Sequence, residues 1–157
     1  MNATVYLETS IIGYIASRPS RDLITAANQQ LTREWWESHR GKYDLYLSEP
    51  VVVECSAGDP NVARDRLDLL TNIPVLDVTE DAESLGNRLA REVPLPEKAK
   101  IDALHIAVAT VNGIDYLLTW NCKHIANAAL HGSIESVCRS AGFKPPTICT
   151  PQQLMEG

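Results

Sequence analysis

Apolar residues recur along the chain with two alternating rhythms, one of strand type and one of helix type. Ala3 to Leu7 (ATVYL) is a short β-prone run, and Glu8-Thr9-Ser10 then offers hydroxyl caps to a helix carrying Ile11, Ile12, Tyr14 and Ile15. Arg18-Pro19-Ser20-Arg21 breaks that helix. Asp22 begins a longer one reaching to about Arg40, with Leu23, Ala26, Ala27, Leu31, Trp35 and Trp36 in an apolar stripe. Asp44 to Ser48 reads as a second strand, after which Glu49-Pro50 opens a short helix, Val51 to Ser56, that contains Glu54. Asp59 and Pro60 start a surface helix. Ile73 to Val78 predicts a third strand, and Thr79 caps a helix with an acidic first turn that reaches Val93. Asp115 to Thr119 predicts a fourth strand, followed by a long helix from Ile125 to Ala141 interrupted near Gly132. Thr147 to Cys149 offers a fifth strand, before a short helix at Pro151 to Met155.

Between Pro96 and the fourth strand, the run from Ile101 to Val111 is apolar at nearly every position, so this helix belongs inside the protein. Asp102 and His105 break its surface on one side. An ionised aspartate at the start of a buried helix needs a cation, hydrogen-bond donors or a shifted pKa, which makes Asp102 a site candidate. Strands alternating with helices favour one α/β domain over residues 1 to 157, with a mostly parallel sheet covered on both faces. In such sheets ligands collect beyond the carboxyl ends of the strands. Glu8 closes the first strand and Asn121 follows the fourth, while Glu54 and Asp102 lie near the starts of helices that can rim the same edge.

Composition narrows the picture without redirecting it. A chain of 157 residues with 45% hydrophobic and 22% charged residues has enough length to bury a single core. No apolar run approaches a membrane span, and the first residues lack the pattern of a secretory leader, so a cytoplasmic location is expected. The four cysteines form no close pair and are expected to be reduced; a zinc site using Cys122 and His124 is the minor reading, because no second pair stands at ligand spacing. A net charge of -6 argues against broad electrostatic binding of nucleic acid, but leaves room for a nuclease with an acidic metal pocket and local basic contacts. Three carboxylates and an amide suit a hard divalent cation such as Mg2+ or Mn2+.

Four blocks, VYLETSIIGYI, VVVECSAGD, KIDALHIAVA and DYLLTWNCKHIANA, follow one another in an order that resembles the PIN domains, in particular the toxin ribonucleases of VapBC toxin-antitoxin systems. The resemblance implies a three-layer α/β/α domain with a parallel sheet of about five strands and Mg2+ or Mn2+ dependent endoribonuclease activity. It also implies frequent dimerisation and inhibition by an antitoxin. Carried over position by position, it places the first acid on Glu8, the following hydroxyl on Ser10, the second acid on Glu54, the third on Asp102 and the last ligand on Asn121. Thr119 and His105 would support them. This sequence has Glu8 where the family usually has Asp, and Asn121 where Asp is frequent.

Each residue also has a plainer reading. Glu8 could be a strand-end residue, Glu54 an ion-pair partner, Asp102 a helix cap and Asn121 a turn former. His105 reads more readily as a hydrogen-bonded core histidine than as a general base. Arg18, Arg21, Lys98, Lys100 and Lys123 lie where they could hold RNA phosphates, although solvated surface charge accounts for each singly. Tyr14 could line the same groove, and Trp35-Trp36 could supply core or a partner contact. A catalytically weak PIN-like RNA-binding or interaction module is the competing function, motivated by Glu8 and Asn121. A phosphatase or phospho-receiver is disfavoured, because the residue sets that such chemistry uses are not evident.

Overall fold

The structure is a computed structural model that describes residues 2 to 156. Five strands, β1 (Ala3–Leu7), β2 (Tyr43–Ser48), β3 (Val75–Leu76), β4 (Tyr116–Leu118) and β5 (Thr147–Cys149), form one sheet in the order β3-β2-β1-β4-β5, with every pairing parallel. Eight helices accompany them among the described residues: α1 (Thr9–Ala16), α2 (Leu23–Ser38), α3 (Glu49–Cys55), α4 (Pro60–Leu69), α5 (Glu80–Glu92), α6 (Lys100–Val111), α7 (Ala128–Ser140) and α8 (Pro151–Glu156). The chain builds outward from β1 through β2 to β3, then returns to the other side of β1 for β4 and β5. The sheet therefore reverses its direction of growth between β1 and β4, and the carboxyl ends of those two strands flank the crevice where such folds place ligands.

Burial follows from that arrangement. Val5, Tyr6 and Leu7 on the central strand are fully buried, as parallel strands covered on both faces require. Most of α6 is enclosed as its sequence predicts, with Ala103, His105, Ile106, Ala107, Val108 and Ala109 all buried, but Ile101 at its start is exposed and Leu104 and Val111 are only half-buried. Helix α5 packs along α6, and α1 packs against α2 and α4. Trp35 is wholly inside, whereas its neighbour Trp36 is partly buried under the guanidinium of Arg40, whose Cζ lies 4.1 Å from the ring centre.

Two elements differ from the sequence reading. The third strand shrinks to two residues at the sheet edge, because Pro74 lacks an N–H and the Val78 N–H turns to the Glu49 carboxylate at 2.8 Å. The last long helix starts at Ala128, three residues late, and runs through Gly132 without a break. Asn121 holds the preceding residues in turns through its carbonyl, which accepts from Ile125 and Ala126. Asn127 then caps α7 by accepting from the Ala129 N–H at 2.9 Å.

Gly86 lies where α5 meets α6. A Cβ at that position would sit 3.4 Å from Leu104 Cδ1 and 3.6 Å from Ala107 Cβ, an ordinary contact. Gly86→Ala should therefore gain up to about 1 kcal/mol from helix propensity, while Gly86→Leu overfills the contact and should lose about 1–3 kcal/mol. Urea unfolding measures both, and the reverse order would contradict this packing.

Candidate metal centre

Glu8 follows β1 directly and is 5% exposed, so its carboxylate needs donors. It receives two. Ser10, in the first turn of α1, and Thr119, just beyond β4, both donate their hydroxyls to Glu8 Oε1, the second at 2.6 Å. Each hydroxyl donates its one proton to Glu8 and accepts a backbone N–H on its oxygen: Ser10 Oγ from Trp120 at 2.8 Å, and Thr119 Oγ1 from Asn121 at 2.9 Å. The ends of the two strands at the crevice are thus laced together around one carboxylate. Glu8 Oε2 has no protein hydrogen bond among the described residues.

Glu54 reaches the same place from α3. Its Oε1 accepts from Thr9 Oγ1 and from His105 Nε2, each at 2.6 Å. Burial pushes this carboxyl up, but the hydrogen bonds from His105 and Thr9 and the charge of His105 outweigh it and hold Glu54 below the usual 4.5. Behind it lies a line of fully buried polar groups: His105 Nδ1 is 2.6 Å from the Tyr6 hydroxyl, and that hydroxyl is 2.6 Å from Ser48 Oγ. Ser48 also caps α3 by accepting the Val51 N–H. Burial drives the Tyr6 hydroxyl far above an ordinary phenol, so it stays protonated. Removing a link would strand a buried polar group, at a cost of about 1–3 kcal/mol.

One candidate ligand atom from each of Glu8, Glu54 and His105 lies within 4.8 Å of the others. No lysine or arginine pairs with either carboxylate among the described residues. Two carboxylates so close together with no lysine or arginine between them, each keeping one oxygen out of the hydrogen-bond network, make a donor set that fits a hard divalent cation.

Asp102, in the first turn of α6, is engaged differently. Its Oδ2 lies 2.8 Å from His124 Nδ1, and the His124 backbone N–H donates to Asn121 Oδ1 at 3.1 Å. His124 therefore links Asp102 with Asn121, and Asp102 is outside the close group formed by Glu8, Glu54 and His105. His124 turns to Asp102, while Cys122 is exposed. Arg18, Arg21, Lys98, Lys100 and Lys123 are all exposed, with no side-chain hydrogen bond or ion pair among the described residues. The loop carrying Arg18 and Arg21 is nevertheless fixed. Buried Gln29 accepts the Ser20 N–H and donates to the Arg18 carbonyl. Tyr14 stacks on Trp120, with ring centres 5.8 Å apart.

Local sequence pattern marks neither Thr9 nor Ser48 as part of this site, nor the role of His124. Tyr6 carried one usable signal, a hydroxyl in the middle of an otherwise apolar central strand, which must find a partner. Its register opposite Tyr46 puts Ser48, two residues on, along the same face of the sheet.

A family model for the PIN domain matches residues 5–130, and the chain belongs to that family, a family of nucleases. The toxin VapC20 of Mycobacterium tuberculosis, described as cleaving the sarcin-ricin loop, shares the fold at 20% identity and a TM-score of 0.55, over 72% of this chain and 86% of that one. A chain of the VapBC2 complex of Rickettsia felis, bound to a DNA fragment from its promoter, aligns at 15% identity and a TM-score of 0.59, over 94% of this chain and 98% of that one. No match is found among curated proteins. Among the described residues, no helix is long and apolar enough to cross a membrane.

The depressed carboxyl of Glu54 has a consequence for acid stability. As pH falls below 4.5, the unfolded chain takes up a proton at Glu54 before the folded protein does. The stability that Glu54 adds is thus fully present above that value and is lost as pH falls through the lower folded value. Urea unfolding of metal-free protein between about pH 6 and pH 3 should show a shallower acid loss in Glu54→Gln than in wild type; parallel profiles would contradict the assignment.

Proposed function

We propose that this PIN domain is a divalent-metal-dependent endoribonuclease, acting as the toxin of a type II toxin-antitoxin pair in the cytoplasm. The observation that carries the reading is the convergence of Glu8 and Glu54 at the carboxyl edge of the sheet, at the β1/β4 reversal. Their oxygens would hold Mg2+ or Mn2+, with Asp102 and Asn121 closing the same rim. Such a cation supplies Lewis acidity that activates water for in-line attack on a phosphodiester and offsets charge on the phosphoryl oxygens.

The protein's own groups do the remaining work. Ser10 and Thr119 fix Glu8, and Thr9 and His105 fix Glu54, so both carboxylates enter the reaction already oriented. Exposed Arg18 and Arg21, presented by the Gln29-clamped loop, would take RNA phosphates, and Lys98, Lys100 and Lys123 would extend that contact. Glu8 is longer by a methylene than the aspartate usual at its position, and the two hydroxyls gripping it compensate by fixing where its carboxylate ends. An antitoxin covering this rim and a homodimer complete the reading. Support comes from the family and from the likeness in fold to VapC20 and VapBC2.

Purified protein incubated with structured RNA should cut it with Mg2+ or Mn2+ and lose that activity in EDTA. Asp102→Asn and Glu54→Gln should each lower the rate by about 100-fold or more. Wild-type cleavage indifferent to EDTA and to both substitutions would contradict the proposal. Folded protein that cuts no RNA in either metal would instead favour the binding or interaction module.

A further inference from the structure

The close group of Glu8, Glu54 and His105 leaves the role of the histidine open, because its imidazole is near enough to serve as a ligand. The hydrogen-bond geometry points to another role. We propose that His105 is a positioning residue, held by Tyr6 and Ser48, that keeps its Nε2 proton on Glu54 and sets that carboxylate for the cation without touching the cation itself. The inference rests on the metal-site reading above and goes beyond it.

Two observations and two rules of donor chemistry carry it. His105 is fully buried, whereas the Glu54 side chain is 34% exposed, so the carboxylate faces the crevice and the ring lies behind it. Both ring nitrogens are engaged: Nε2 lies 2.6 Å from Glu54 Oε1, and Nδ1 lies 2.6 Å from the Tyr6 hydroxyl. An ionised carboxylate can only accept, so the proton on that contact belongs to Nε2, and a nitrogen carrying a proton has no lone pair for a metal. Hard divalent cations of the Mg2+ type also favour oxygen over imidazole.

The line behind the ring is built to hold this orientation. The Val51 N–H donates to Ser48 Oγ, Ser48 Oγ meets the Tyr6 hydroxyl, and that hydroxyl meets His105 Nδ1. Ser48 ends β2 and caps α3, the helix that carries Glu54, while Tyr6 lies on β1 two residues before Glu8. The network therefore ties the two strands and the two helices that present the site into one register. Partners of this kind, one step removed from the metal, typically alter affinity by about 10- to 100-fold when removed.

The experiment combines nitrogen-15 NMR of the histidines with Mg2+ titration calorimetry. In wild type, His105 Nε2 should carry a proton in metal-free protein and keep it when Mg2+ saturates the site. His105→Leu should weaken Mg2+ binding by about 10-fold or more, and Tyr6→Phe by up to about 10-fold. His105→Gln, whose amide can still donate to Glu54, should stay within about threefold of wild type. Loss of the Nε2 proton on Mg2+ addition would make His105 a ligand and overturn the proposal. Equal Mg2+ affinity in all variants, with only thermal stability changed, would overturn it too by reducing the network to packing. The NMR result on wild type decides the role even if a variant fails to fold. Mg2+ binding that follows the expected pattern without any RNA cleavage would overturn the nuclease reading alone.

Discussion

Two carboxylates brought within a few ångströms of each other, with no lysine or arginine paired to either, repel, and the fold around them is organised to tolerate that repulsion. Each is pinned by two donors on one oxygen: Ser10 and Thr119 on Glu8, Thr9 and His105 on Glu54. The donors come from α1, from the segment after β4 and from α6, so the constraint is distributed over most of the elements near the sheet's carboxyl edge. At Glu54 the hydrogen bonds to the charged form outweigh the burial that would otherwise favour the neutral acid. A divalent cation between them would remove the remaining repulsion, which is the physical reason for reading this place as a metal centre.

The strand order makes that arrangement possible. Because the sheet grows in opposite directions from β1, the ends of β1 and β4 lie side by side at the point of reversal. Glu8 and Thr119 therefore meet across 111 positions of sequence. Chain connectivity thus places the site, and hydroxyl donors adjacent to the strand ends refine it. Tyr6 extends the same logic inward, since its ring belongs to the apolar core and its hydroxyl to the polar line supporting Glu54.

Much of this was legible in the residues. Periodicity located every strand and helix to within a few residues, and the apolar register of α6 marked Asp102 and His105 as exceptions needing partners. Glu8 and Glu54 were recognisable through the strand-carboxylate-helix order and the family resemblance. What was hidden depended on registers between distant segments: that Ser48 falls beside Tyr6, and that His124 reaches Asp102 from across the chain. The shortened β3 and the late start of α7 were missed because a proline at a sheet edge and an Asn121-capped turn override the local apolar pattern. Asp102 stands in a partly buried setting that calls for a partner, and His124 supplies one at 2.8 Å.

The central claim is that Glu8 and Glu54 hold one divalent cation between them. Anomalous diffraction from a crystal soaked in Mn2+ tests it most directly. The account predicts a peak about 2.0–2.2 Å from an oxygen of each carboxylate, with His105 Nε2 still hydrogen-bonded to Glu54 and outside the coordination sphere. A peak bound to only one of them, or to His105 itself, would contradict it.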